Sequence, residues 1–80
     1  MSGELVRAVA AEVRRITGEM DMSGRELARR TGIAHNTLAV KLRGESPIDV
    51  GELEDIATAL GVDLLALVER ARDAVPPPKG

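Results

Sequence analysis

Two short helix-forming stretches that flank a single glycine, within residues 23–44, constrain the fold of this 80-residue chain more than any other feature. Ser23 and Glu26 stand three residues apart, the spacing of a capping box at the start of a helix. Gly32 follows this stretch, where the chain needs the positive φ that glycine adopts readily. Two helices joined by such a turn are expected to cross at a steep angle. The apolar residues expected to lock that angle are Leu27, Ala28, Ile33, Leu38 and Leu42.

Before this segment, residues 4–17 predict a first helix, because apolar side chains recur along one of its faces at helical spacing. Gly18 is expected to end this helix. The apolar positions of the face are Leu5, Val9, Val13 and Ile16. No stretch of the chain alternates apolar and polar residues as a half-buried strand does, so an all-α fold is predicted.

After the segment, two further helices are predicted. Asp49 and Glu52 repeat the spacing of a capping box, and Asp63 offers a cap for the fifth helix. The apolar stripe of the fourth helix consists of Val50, Leu53, Ile56, Ala57 and Leu60. The prolines at 76–78 cannot continue a helix. We therefore expect one compact five-helix domain over residues 1–74 and a loose, Pro-rich tail over residues 75–80.

The composition excludes several classes of function. The chain has no cysteine and only one histidine, which excludes a disulfide framework, a thiolate metal site and Cys/His catalysis. No nucleophile–base pair or phosphate-binding loop is present either, so we expect no enzyme, no cofactor, no metal and no small-molecule substrate. The absence of aromatic residues removes the stacking platform that single-stranded nucleic acid requires. Neither a signal segment nor a membrane-spanning run is found, so a cytoplasmic location is expected.

The charges are divided unevenly along the chain. The formal net charge is −2, yet residues 22–43 carry five cations and one acid, a local balance of +4. Residues 46–80 carry seven acids and three cations, a balance of −4. Because the Debye length is about 8 Å at physiological salt, the local cations matter more to an anionic partner than the distant acids. The segment around the glycine turn is therefore the candidate surface for such a partner.

These features together resemble the Cro/cI-like helix-turn-helix family, the phage-repressor type of DNA-binding domain. The resemblance covers roughly residues 4–68. It rests on Leu27-Ala28, Thr31-Gly32-Ile33, Asn36-Thr37-Leu38, residues 42–47 and Ala59-Leu60-Gly61-Val62. It implies a five-helix bundle with the helix-turn-helix at helices 2 and 3. It also implies a small transcriptional regulator, Cro-like or a minimal repressor, in the cytoplasm of a bacterial or phage-infected cell. Helix 3 would bind the major groove of an operator in double-stranded DNA.

Site residues carry over from the family where positions match. Base contacts are implied at His35, Asn36, Thr37 and Val40, and phosphate contacts at Ser23, Arg25, Arg29, Lys41 and Arg43. Asn36 can pair with adenine N6 and N7, and His35 can donate to guanine N7 or O6. Val40 and the Thr37 methyl group can pack on thymine methyl groups.

Three positions depart from the family pattern. Ala34 stands where a serine often caps the recognition helix, and Gly24 stands where a polar side chain often begins helix 2. Lys41 occupies a position that is frequently aliphatic, so Leu42 is expected to take over its place in the core. Arg7, Arg14, Arg15 and Arg30 are interpreted as solvated surface residues or helical ion-pair partners rather than DNA contacts.

Helix 5 is apolar over too wide an arc for one packing face, which leaves Leu65 or Val68 turned outward. The family often pairs through this end of the domain, so these residues predict a homodimer interface. Two alternatives stay open. The Pro-rich tail can fold back over the apolar patch, or helix 5 and the tail can bind a protein partner in an antitoxin-like or anti-repressor module.

Overall fold

The computed structural model describes residues 3–76, and in this range it contains helices and no strand. Its elements are α1 Gly3–Glu19, α2 Gly24–Thr31, α3 His35–Leu42, α4 Val50–Leu60 and α5 Leu64–Asp73. This confirms the all-α, five-helix prediction with the helix-turn-helix at α2 and α3. No helix within the described range is long and apolar enough to cross a membrane. Residues 77–80 of the predicted tail lie outside the described residues.

Helix α1 ends later than the sequence predicts, and Gly18 does not end it. The helix continues through Gly18 to Glu19, and the chain turns at Asp21, whose φ is 53°. The amide of Met22 donates to the carbonyl of Thr17 at 2.9 Å, which closes the turn. Aspartate is one of the few non-glycine residues that tolerate the left-handed region, because its short side chain can form local hydrogen bonds. The sequence therefore placed the end of α1 two residues too early.

The two predicted capping boxes differ in completeness. At α2, Ser23 Oγ accepts from the amide of Glu26 at 3.1 Å, but the Glu26 carboxylate turns away to Arg30 at 2.5 Å. At α4 both halves form, because Asp49 Oδ1 accepts from the Glu52 amide at 2.7 Å and Glu52 Oε1 accepts from the Asp49 amide at 3.1 Å. The box at α4 is confirmed, and the box at α2 is half formed.

All five helices contribute to one core. The largest fully buried side chains come one from each helix, in chain order Val13, Leu27, Leu38, Ile56 and Leu67. Full burial of such a side chain stabilises the fold by about 1.5–3 kcal/mol. Helix α1 packs against α3 and α5, α2 packs against α3 and α4, and α4 packs against α5. Helix α3 is thus buried on the side that faces α1 and α2, and its other side faces outward.

Besides Met20 in the turn after α1, three large apolar residues within residues 3–76 are exposed outside this core. Val50 and Leu5, which the sequence placed on buried stripes, are 76% and 41% exposed. Both stand in the first turn of their helices, where the chain has not yet reached the core. Leu65 is 70% exposed, as expected for an outward position on α5. Val68, in contrast, is partly buried and packs against the core.

Candidate nucleic-acid interface

The turn between α2 and α3 is fixed by local hydrogen bonds. Gly32 adopts φ 78°, ψ 6°, and its amide donates to the carbonyl of Ala28 at 2.9 Å. Thr31 Oγ1 donates to the carbonyl of Leu27 at 2.9 Å and accepts from the amide of Ile33 at 3.3 Å. A Cβ at Gly32 would meet nothing within 4 Å, so the backbone conformation rather than space requires glycine here. The predicted role of Gly32 is confirmed.

The first turns of α2 and α3 lie side by side. A Cβ built on Gly24 would stand 3.8 Å from Nε2 of His35, an ordinary van der Waals distance. The half-buried imidazole of His35 therefore lies beside the position where Gly24 lacks a side chain. Ala34 stands at the N-cap of α3, and its side chain forms no capping hydrogen bond there.

The implied base-contact residues share one side of α3. Asn36 and Thr37 are exposed, whereas Val40, one turn later, is half-buried, as is His35. Residues three and four positions apart on a helix are neighbours on its surface, so Asn36, Thr37 and Val40 form one short row. The row presents the amide of Asn36, the hydroxyl and methyl groups of Thr37 and the methyl groups of Val40. Such groups distinguish base edges in the major groove by hydrogen bonds and by contact with the thymine methyl group.

Cations on α2 flank this row. Arg25 and Arg29 are exposed, four residues apart, and neither forms an ion pair within residues 3–76. Arg30, on the same helix, is instead paired with Glu26 at 2.5 Å. Ser23 is exposed and its hydroxyl caps α2. The free charge of α2 is therefore concentrated at Arg25 and Arg29.

Arg43 follows α3 and forms an ion pair with Glu45 at 3.0 Å. The hydrogen bond from Arg43 lowers the pKa of Glu45 below its usual value, and the carboxylate raises the pKa of Arg43. Both side chains are more than half exposed, and exposed pairs of this kind contribute little stability. The pair can therefore open at small cost.

Lys41 is placed differently from the other cations. Its ammonium group binds both carboxylate oxygens of Glu52 on α4, and the two side chains are only 16% and 21% exposed. In the same turn, the guanidinium of Arg14 on α1 donates to the carbonyl of Leu42. Neither contact was predicted from the sequence. Arg14 was interpreted as a surface residue, and Glu52 was assigned only to the cap.

A second charged cluster joins α1 to α5, away from the helix-turn-helix. Glu12 accepts from Arg15 at 2.5 Å and from Arg70 at 3.1 Å, and Arg15 also pairs with Glu19 at 2.7 Å. These hydrogen bonds, that from Arg15 first, lower the pKa of Glu12. The cluster fixes α5 on α1. Within residues 3–76 no group of His, Asp or Glu is arranged to hold a metal ion.

An apolar groove lies near the exposed residues of α1 and α5. It is a cavity of about 240 Å³ lined by Leu5, Val6, Val9, Ile48, Leu53 and Val68. Of the two residues predicted at a dimer interface, Val68 lines this groove and Leu65 stands one helical turn before it, exposed.

The comparisons with known proteins agree with this architecture. A family model of the Cro/C1-type HTH DNA-binding domain matches residues 12–71, from the middle of α1 into α5. The fold is similar to that in the crystal structure of the clp gene regulator ClgR from C. glutamicum, with a TM-score of 0.84 and 22% sequence identity. That match covers 92% of this chain and 96% of the ClgR chain. No curated protein sequence matched. The family is one of DNA-binding domains and not of enzymes, and the chain belongs to it: it is a Cro/C1-type helix-turn-helix DNA-binding domain.

Proposed function

We propose that the chain is a sequence-specific transcriptional regulator, Cro-like or a minimal repressor, that binds an operator by inserting α3 into the major groove. One observation carries this proposal. The row of exposed Asn36 and Thr37 and half-buried Val40 lies on α3, the helix that follows the Gly32 turn, and two arginines without an ion pair in the described part of the chain stand on α2. Base-contacting groups flanked by cations are what an operator-binding surface requires.

The base contacts follow from the side chains of α3. Asn36 pairs with adenine through two hydrogen bonds, and each good contact of this kind discriminates by about 1–3 kcal/mol. Thr37 and Val40 offer methyl groups to thymine. His35 donates to guanine from a less exposed position beside Gly24.

The phosphate contacts come from the flanks of α3. Arg25 and Arg29 are exposed and unpaired within the described part of the chain, and Ser23 stands at the start of the same helix. Arg43 joins them after release from Glu45, an exposed pair. Such contacts set the register of the protein on the duplex without reading its sequence.

The regulator is proposed to act as a homodimer in the cytoplasm of a bacterial or phage-infected cell. Leu65, 70% exposed on α5, and the neighbouring groove that Val68 lines support pairing of two copies at this end of the domain. A two-fold dimer places two recognition helices about 34 Å apart, one turn of the duplex.

The same exposed leucine supports a second candidate, an antitoxin-like or anti-repressor module that binds a protein through α5 and residues 75–80. The two candidates differ in what the α2 cations do. Reversal of charge at Arg29 weakens binding to every duplex if the chain is a DNA-binding regulator. It leaves the function of a protein-binding module intact.

The decisive experiment is selection of bound duplexes from a random pool, followed by gel shift over a salt series. We expect a two-fold symmetric site and an affinity that falls as salt rises. Asn36→Ala is expected to weaken binding to the selected site far more than to random DNA. Arg72→Ala on α5 is the matched control for Arg29→Ala. It is expected to leave the affinity for the selected site and the affinity for random DNA unchanged. Recovery of no preferred sequence would refute the proposal.

A further inference from the structure

Charged side chains connect the last turn of α3 to two other helices. The ammonium of Lys41 binds both oxygens of Glu52 at the start of α4. The guanidinium of Arg14 on α1 donates to the carbonyl of Leu42, the residue after Lys41. The end of the recognition helix is thereby connected to both α1 and α4.

The Glu52 carboxylate is itself fixed in place. Its Oε1 accepts from the amide of Asp49 at 3.1 Å, while its own amide donates to Asp49 Oδ1 at 2.7 Å. Lys41 therefore binds a carboxylate that is part of the α4 cap, so the ammonium is connected to the α4 backbone. With side chains 16% and 21% exposed, solvent screens this pair far less than the exposed pair of Arg43 and Glu45.

Movement of Lys41 to a DNA phosphate would be unfavourable for two reasons. The Glu52 carboxylate would lose its cation at a largely buried position, and leaving one partner of such a pair alone is strongly destabilising. The carboxylate would also face the negative charge of the phosphate that attracted Lys41. Arg25 and Arg29 carry no such penalty, since neither pairs with an acid in the described part of the chain.

We propose that Lys41 and Glu52 form a positioning pair that sets the orientation of the base-contacting row of α3, and that Lys41 is not a phosphate contact. This inference rests on the proposed function. The pair acts through Val40, the adjacent residue, and through the last turn of α3 that carries it. Its loss lets the end of α3 shift relative to α4, so contacts made only on the correct sequence are weakened.

The test compares Lys41→Met and Glu52→Gln with the control Arg29→Met on the selected duplex and on random duplex. If the pair positions α3, both substitutions lower the ratio of specific to non-specific affinity, by about tenfold. The slope of log K against log salt then stays unchanged in Lys41→Met. Arg29→Met instead reduces the magnitude of the slope by about 0.9 and weakens both duplexes alike.

The opposite result has a distinct signature. If Lys41 contacts a phosphate, Lys41→Met reduces the magnitude of the slope by about 0.9, as Arg29→Met does. Glu52→Gln, which frees the ammonium, then strengthens binding to both duplexes, and neither substitution changes the ratio. That outcome would overturn the inference.

Circular dichroism checks that each variant folds. Should Lys41→Met fail to fold, Lys41→Gln replaces it, because its amide still donates to Glu52 while its charge is gone. An unchanged salt slope with this variant supports positioning, and a reduced slope refutes it. Failure of the wild-type chain to select any sequence refutes the proposed function instead, so the two failures are distinguishable.

Discussion

Substitution of glycines by alanine tests where the chain actually turns. Gly18 lies inside α1 with a helical backbone, and a Cβ there would meet nothing within 4 Å. Alanine is favoured over glycine in a helix by about 0.5–1 kcal/mol. Gly18→Ala is therefore expected to raise the free energy of unfolding by about that amount, although the sequence pattern suggested a helix-ending glycine.

Gly32→Ala is expected to act in the opposite direction. No atom would clash with the new Cβ, so the cost comes from the backbone alone. Holding a non-glycine residue in the left-handed region costs about 1–2 kcal/mol. Gly61, with φ 70° and equally open space, provides the matched control and is expected to show the same loss. Gly44→Ala is expected to cost more, because its Cβ would also stand 3.1 Å from Cγ of Arg7.

Thermal and urea unfolding followed by circular dichroism measure these differences. For a domain of this size, 1 kcal/mol corresponds to about 4–8 °C in Tm, so the Gly18 and Gly32 variants are expected to move to opposite sides of wild type. A loss of stability in Gly18→Ala as large as that in Gly32→Ala would refute the reasoning. It would mean that the left-handed residue after α1 is Gly18 and not Asp21.

Three further changes test the caps, the charges and the exposed surface. Ala34→Ser is expected to stabilise the fold by about 0.5–1 kcal/mol, measured by urea unfolding, because it supplies the missing cap of α3. The pKa of Glu12 is lowered in the fold, first by its hydrogen bond from Arg15. Its contribution to stability is therefore present above the unfolded-state pKa and is lost as the pH falls through the lower folded value. Glu12→Gln is accordingly expected to flatten the acid limb of the stability–pH curve, and an unaltered limb would contradict this. Leu65→Glu is expected to shift a dimer to monomer in sedimentation equilibrium, whereas Val50→Glu, at a similarly exposed valine, leaves the dimer intact.

Features set by neighbouring residues in the sequence were predictable. The Gly32 turn and the Asp49 cap each depend on groups within four residues, so residue type and spacing suffice to predict them. The buried stripes followed from helical periodicity, with exceptions in the first turns of helices, where periodicity does not tell how far the core extends. Val50 is such an exception.

Features set by the packing of helices were not predictable. Lys41 and Glu52 stand 11 residues apart, and Arg14 and Leu42 stand 28 apart, so each contact depends on how the intervening loops place the helices. The choice between two local partners was not predictable either, because the sequence indicated both a capping box for Glu26 and a helical ion pair for Arg30. Glu26 had two possible partners within one turn, and its carboxylate bonded Arg30 rather than the backbone amide of Ser23.

The ion pairs also change what the local positive charge can do. Of the five cations between residues 22 and 43, three are paired with acids: Arg30, Lys41 and Arg43. Non-specific affinity for DNA rises with the number of phosphates that cations neutralise, so the available charge is much smaller than the sequence balance of +4 suggests. A helix-turn-helix segment with so few free cations gains little affinity from the phosphate backbone alone. In the proposed function, binding then depends mainly on contacts that only the correct sequence provides, which makes the orientation of α3, and the groups that fix it, decisive for that function.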